Sequence, residues 1–292
     1  MLDGQAFFGF TPLAGAHDTF VLTTRAPGIP LTLDGLQQTL ESASGRSDIR
    51  LRELSWSTTW RPNVRMVDQF RIGRVFLAGD AAHVHPPSGG QGLNTGVQDG
   101  YNLGWKLGAV LDGVSDELLD SYESERLPVA ARVLGISTAL LQKHLSGADD
   151  AFERGEETRQ LDISYRLGPL TLDHASSRVV AAGDRAPDAP CSGRDGQPVR
   201  LFSRYVGPAW TLLRCGSTAP TLDRPDVQSY CVGSELVDTD RHIGDAYGVK
   251  DGVAVLVRPD GYIGAITSQP ADLTTYADRV MPAGSRTSPR RR

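Results

Sequence analysis

Residues 74–107 read RVFLAGDAAHVHPPSGGQGLNTGVQDGYNLGWKL, and this stretch decides the fold. The run Val75-Phe76-Leu77-Ala78 is apolar without alternation. That predicts a strand over residues 73–79 buried on both faces, as in a parallel α/β sheet. Gly79 and Asp80 then fall at the strand's carboxyl end, where open α/β sheets bind ligands. A carboxylate in a dry site needs partners. Asp80 can find them in a ribose-type diol or in backbone amides of the following turn. Pro86 and Pro87 stiffen that turn. Ser88-Gly89-Gly90-Gln91-Gly92 bares the backbone ahead of a helix predicted over residues 91–111. The first amides of a helix are unpaired and carry partial positive charge, and glycines let a flat ligand approach them. The arrangement suits an electron-rich or anionic edge, such as a ring carbonyl that gains charge on reduction.

Two simpler ligand loops are excluded. A P-loop needs GxxxxGK[ST], and no Lys-Ser or Lys-Thr pair follows these glycines. A dinucleotide fingerprint needs GxGxxG directly after a strand. The run Gly90-Gln91-Gly92-Leu93-Asn94-Thr95 ends in threonine and lies too far along. On the predicted helix Leu93, Val97, Leu103, Leu107 and Val110 supply an apolar side, and Gly96, Gly100, Gly104 and Gly108 recur every four residues. A helical glycine costs up to about 1 kcal/mol relative to alanine, so this row is read as close packing against a sheet.

Outward from this stretch, residues 5–25 read as two strands around a Gly/Pro turn. Residues 34–44 read as a helix with Leu36 and Leu40 four apart. The alternation through Leu51, Leu54 and Trp56 predicts a long, half-buried strand over residues 48–62. Downstream, Ser115 with Asp116 and Glu117 starts a new helix, which Pro128 should kink or restart. Residues 146–160 are polar and charged and read as a frayed helix end or surface loop. A second unit is predicted from Gly183, after a Pro-rich entry. It has strands at PVRLFSRYV, AWTLLRC and QSYCVGS and a short helix at DRHIGDAYGV. A hairpin follows, turning at Asp260-Gly261, and a closing helix carries Leu273, Tyr276 and Val280 on one face.

Length and composition bound the function. At 292 residues, with 39% hydrophobic and 22% charged, the chain can build about two ordinary domains. A net charge of −5 argues against nucleic acid or an anionic membrane as the main partner. No secretory signal or membrane-length apolar run is present, and a cytoplasmic location is predicted. The three cysteines, Cys191, Cys215 and Cys231, form no CxxC. No metal site is expected. The basic terminal residues 285–292 read as a disordered tail.

The stretch quoted above resembles the second flavin-binding motif of the FAD-dependent aromatic hydroxylases, the group A flavoprotein monooxygenases. It is most similar to those acting on polyketides and other polycyclic aromatics. SYESERLPVAARVL, residues 121–134, is similar to that family's next helix. The resemblance implies an α/β (α+β) fold. Its parts are a substrate-domain sheet over residues 1–72, the C-terminal part of an FAD-binding domain over 73–160, a linker over 161–182, and a thioredoxin-like domain without CxxC over 183–284. It implies that Gly79 and Asp80 serve the FAD ribose. It implies that Pro86 and Pro87 line the ring and substrate face, and that Gly90, Gln91, Gly92, Leu93 and Asn94 meet the ring's pyrimidine edge. Phe8, Phe10, Trp56 and Trp60 would form part of an aromatic pocket, with simple core packing as the alternative. His83 and His85 are read as making structural hydrogen bonds, and no catalytic residue is assigned. The implied chemistry is reduction of FAD by NADPH, followed by transfer of one oxygen atom from O2 to an activated aromatic ring.

The family's amino-terminal GxGxxG segment does not occur in these 292 residues, nor does its later Asp-Gly segment. The chain therefore reads as the C-terminal part of a hydroxylase, inactive alone. The expected partners are an aromatic small molecule and either a second copy of the chain, as a homodimer, or the missing amino-terminal half. The alternatives are one half of a split flavoprotein, or a non-enzymatic interaction and assembly module.

Overall fold

The computed structural model describes residues 8–16, 18–24, 28–59, 63–86, 88–145, 155–174 and 179–282. The chain forms two compact units, Met1–Pro62 with His144–Asp149 and Asn63–Lys143 with Asp150–Arg292. Pro87, Trp60, residues 146–154 of the predicted polar loop and the basic tail lie outside the described residues.

In the first unit, β1 (Phe8–Pro12) and β2 (Phe20–Thr24) pair antiparallel with Phe10 opposite Leu22. This is the hairpin that their aromatic and β-branched content predicts. Helix α1 (Leu33–Ser44) starts where Thr32 Oγ1 accepts the Gly35 amide at 3.2 Å, and it buries Leu36 and Leu40. The long strand predicted over residues 48–62 is corrected. Residues 48–59 join no ladder. Their backbone is instead satisfied locally by one side chain: Gln37 Nε2 donates to Ile49 O at 3.0 Å, and Gln37 Oε1 accepts from Leu51 N at 2.9 Å. Alternation alone does not make a strand when a side chain takes the bonds that a neighbour would have made.

The second unit opens with two small antiparallel pairs. One joins β3 (Arg65–Met66) to β6 (His83–Val84); the other joins β4 (Arg71–Ile72) to β5 (Val75–Phe76). The expectation of a buried parallel strand over residues 73–79 is overturned. β5 is two residues long and antiparallel, and Val75 is 63% exposed. The run is packed from one side only: Phe76, Leu77 and Ala78 lean on a core of Phe70, Ala82, Tyr122 and Ala130. Tyr122 Oη donates to Leu77 O at 2.7 Å.

Two long helices follow, α2 (Gly92–Leu111) and α3 (Asp120–Leu145). A 3-10 turn capped by Ser115 leads into α3. Helix α3 runs through Pro128 as one helix, not a restarted one. Tyr122 before the proline and Ala130 after it pack in one cluster with Phe70 and Ala82, while Val129 and Val133 pack with Ile163, Tyr165 and Tyr262, so both halves are held. Tertiary packing here outweighs one lost backbone bond. No helix among the described residues is long and apolar enough to cross a membrane.

The remainder builds one mixed sheet from β7 (Leu172–Asp173), β8 (Pro190–Gly193), β9 (Pro198–Arg200), β10 (Trp210–Cys215), β11 (Val227–Val232), β12 (Leu236–Val237), β13 (Val253–Val257) and β14 (Ile263–Thr267). Their order is β7-β14-β13-β10-β11-β12-β8-β9. β9 is shorter than predicted, because the Phe202 amide turns to Asp188 Oδ1 at 3.0 Å and starts a 3-10 turn. Alternate residues face opposite ways. Leu213, Val255 and Ile266 pack with Ile243 and Tyr247 of α4 (His242–Tyr247). Leu212, Leu256 and Ala265 pack with Leu273 and Tyr276 of α5 (Pro270–Val280), and Trp105, Ala109 and Val110 of α2 close over the same face. The sheet is thus sandwiched, and α2 belongs to both its cover and the acidic turn at Asp80.

Candidate functional site

Gly79–Ala81 is a single 3-10 turn between β5 and β6. Gly79 adopts φ 58°, which favours glycine, and its amide donates to Asp99 Oδ2 at 3.1 Å. A methyl group added at Gly96 would lie 3.1 Å from Gly79 Cα, so this turn and α2 meet backbone to backbone. Asp80 is exposed. Among the described residues nothing bonds its carboxylate, so the turn amides that could have satisfied it leave it free.

The start of α2 is equally bare. Gly89 and Gly90 have φ 82° and 65°. Gln91 precedes the helix, and no side chain caps it. The first ladder bond is Thr95 N to Gln91 O at 3.0 Å, which leaves the amides of Gly92, Leu93 and Asn94 outside the ladder. Leu93 is 81% exposed and Asn94 is exposed, whereas Gln91 and Pro86 are buried. Gln91 Oε1 accepts from Gln160 Nε2 at 3.3 Å, and Gln91 Nε2 is buried without a partner among the described residues. Gln160 has φ 57°, uncommon for a side-chain-bearing residue, and also donates to Thr95 Oγ1 at 3.0 Å.

Two expectations about α2 are corrected. Only Gly96 of the glycine row is closely packed; a methyl at Gly100, Gly104 or Gly108 would meet nothing within 4 Å. Leu93 and Val97 lie in solvent, and the buried stripe is polar: Thr95, Asp99, Asn102 and Lys106. Their spacing of four, three and four puts them on one helical face.

That stripe organises two charge clusters. In the first, Asp99 Oδ1 accepts from Arg126 Nε at 2.7 Å, and Asp99 Oδ2 pairs with His83 Nε2 at 2.6 Å. Burial opposes the Asp99 charge, but the His83 bond and the Arg126 charge hold its carboxyl below the ordinary range. An ionised carboxylate only accepts, so His83 donates from Nε2. Its Nδ1 shares a hydrogen bond with His85 Nε2 at 2.7 Å, and among the described residues His85 Nδ1 has no partner. Burial lowers the His85 pKa. The two histidines thus make structural hydrogen bonds, with a carboxylate partner that sequence reading did not supply. In the second cluster, Glu125 receives both terminal nitrogens of Arg258 at 2.7 and 2.9 Å and Lys106 Nζ at 2.8 Å. Asp260 Oδ2 accepts from Arg258 at 2.6 Å and from Trp105 Nε1 at 2.9 Å. Burial opposes the Glu125 charge, yet Arg258 and Lys106 bring its pKa down to about 2; burial pulls Lys106 down to about 8.

Of the predicted aromatics, Phe10 is 40% exposed and meets Phe20 edge to face at 6.2 Å. Trp56 is 77% exposed, so it is not core. Phe8 sits in β1, and its side chain lies outside the described residues.

Among the described residues the exposed Asp80 carboxylate is thus without a hydrogen-bond partner, on a glycine turn that packs against a helix whose start no side chain caps. Residues 7–137 match the FAD binding domain family. The proteins this chain is similar to are flavin-dependent monooxygenases and aromatic hydroxylases. The chain is 44% identical over 284 residues to a flavin-dependent monooxygenase of Mycobacteroides abscessus, covering 96% of this chain and 56% of that protein. It is 36% identical to a rifampicin monooxygenase of Rhodococcus hoagii, over 84% of this chain and 50% of that one. In three dimensions it is similar to aklavinone-11 hydroxylase solved with FAD and aklavinone, with a TM-score of 0.71, 27% identity and coverage of 89% and 54%. The chain spans about half the length of the curated relatives it matches.

Proposed function

We propose that this chain supplies the ribose and ring-edge half of the FAD site in an NAD(P)H-dependent monooxygenase that hydroxylates an aromatic, phenolic or polyketide-like molecule in the cytoplasm. The observation that carries the reading is the free Asp80 carboxylate beside the uncapped start of α2. The residues fit the cofactor. Asp80 can accept both hydroxyls of a ribose diol, while the unladdered amides of Gly92, Leu93 and Asn94 can donate to a ring's carbonyl edge. Bound FAD supplies electron storage and oxygen activation, chemistry that no side chain here provides.

The protein's part is electrostatic and positional. The α2 amino terminus favours negative charge at the ring edge. Gly89, Gly90 and Gly92 keep side chains off that edge, and buried Pro86 shapes the turn before it. Phe8, Phe10 and Trp56 are proposed to contribute to the substrate pocket, and residues 183–284 to form a thioredoxin-like domain without redox activity. The relatives support the substrate class: rifampicin, anhydrotetracycline and pentachlorophenol monooxygenases are among the proteins this chain is similar to.

The test is a titration with FAD followed by flavin fluorescence. Asp80→Asn keeps the shape but loses charge-assisted bonds, each worth about 1.5–3 kcal/mol. The variant should bind FAD roughly 10- to 100-fold more weakly than the parent. Equal affinity overturns the assignment of Asp80.

A further inference from the structure

We infer that the β13–β14 hairpin positions the Gly79–Asp80 turn through a continuous buried polar line, with Arg258 as a positioning residue for the flavin site. The inference rests on the flavin reading above and extends it to a part of the chain with no ligand-binding motif.

The line runs through contacts at every step. Arg258 is held in the hairpin turn, where its amide donates to Tyr262 O at 2.8 Å and its carbonyl accepts from Gly261 N at 2.9 Å. Its guanidinium is fully buried, bonded to Asp260 and bidentate to Glu125 of α3. Three rings surround it: Trp105, Tyr165 and Tyr262 lie 5.2, 5.4 and 5.9 Å from Arg258 Cζ. Tyr165 hands the line on. Burial pushes its phenol pKa up, so the neutral hydroxyl accepts from Arg126 Nη1 at 2.8 Å. Arg126 Nε donates to Asp99 Oδ1, and Asp99 Oδ2 holds the Gly79 amide. Asp80 is the next residue.

Such a line transmits position because it has few alternative arrangements. Moving one member leaves a buried charge uncompensated, which is strongly unfavourable. The members neutralise one another in pairs: Lys106 and Arg258 against Glu125 and Asp260, Arg126 against Asp99. A loosely packed interface would tolerate a shift of the hairpin; one linked by buried ion pairs and hydrogen bonds, and by the Arg258–Tyr165 cation–π contact, passes it to the next partner. Spatial continuity alone does not establish coupling, so the experiment measures the coupling itself.

The readout is hydrogen exchange at the Gly79 amide, which reports on the turn whether or not flavin is bound. Arg258→Lys keeps the charge and loses the bidentate geometry. Tyr165→Phe removes only the hydroxyl that accepts from Arg126, and it serves if Arg258→Lys fails to fold. The control is Val255→Ala, in the same hairpin but on the face that packs against α4. Arg258→Lys and Tyr165→Phe should each speed Gly79 exchange at least tenfold and weaken FAD binding by a similar factor. The control should change Gly79 exchange no more than its loss of global stability requires. Gly79 exchange unchanged in both variants, or equally fast in the control, overturns the inference. If Asp80→Asn leaves FAD affinity unaltered while Gly79 exchange still responds to Arg258→Lys, the flavin reading alone has failed.

Discussion

Lys106 is the residue whose ionisation is most out of keeping with its place. Its ammonium is fully buried between Asn102 and Glu125, and burial brings its pKa to about 8 from an ordinary 10.5. The unfolded chain therefore holds more protons than the native state between about pH 8 and 10.5, and the Lys106 contribution to stability rises with pH across that window. Urea unfolding of the parent and of Lys106→Met should show it. The stability of the parent minus that of the variant should grow from pH 8 to 10.5, and a constant difference would falsify the assignment. Lys106 also marks where sequence reading stopped. The turn at Asp80 and the helix start at Gly92–Asn94 are legible in the sequence because they are local features. Asp99 finds Arg126 at a separation of 27 residues, and Glu125 finds Arg258 at 133. No local pattern names such partners. The spacing of Thr95, Asp99, Asn102 and Lys106 on α2 was the available clue, and the more conspicuous glycine row obscured it.

At the scale of the element, α2 joins one crowded glycine to three open ones. Gly96→Ala would place a methyl 3.1 Å from Gly79 Cα, where the opposing group is backbone and cannot swing away. It should cost about 1–3 kcal/mol, as overpacking does. Gly104→Ala meets nothing within 4 Å, and should stabilise by up to about 1 kcal/mol through helix propensity. Thermal or urea unfolding of the two variants should move in opposite directions, and a shared direction would refute the packing difference. The same contrast explains which elements were readable. Helix α1 buries Leu36 and Leu40 and helix α5 buries Leu273, Tyr276 and Val280, each set at helical spacing, and the hairpin β13–β14 turns at Asp260-Gly261 as its residues require. The strand predicted over residues 73–79 failed because its apolar run packs on one side only. The one predicted over residues 48–62 failed because Gln37 took its backbone bonds.

Across the whole second unit, the interior is of two kinds. The sheet's two faces are apolar, with Val253–Val257 and Ile263–Thr267 buried throughout. Between α2, α3 and the hairpin the interior is ionic, with Lys106, Glu125, Arg126 and Arg258 all at 2% exposure or less. Unfolding apolar surface raises heat capacity by about 0.45 cal/K/mol/Å2, whereas unfolding polar surface lowers it by about 0.26. The ionic interior therefore subtracts from the heat-capacity change that the sheet creates, and flattens the dependence of stability on temperature. Replacing four of its members, Lys106, Glu125, Arg258 and Asp260, together by Met, Leu, Met and Leu should raise the unfolding heat capacity in scanning calorimetry. An unchanged value would show that the charges are hydrated in the native state. The polar line that sets the Asp80 turn thus carries a thermal consequence: it keeps the turn's support comparatively indifferent to warming.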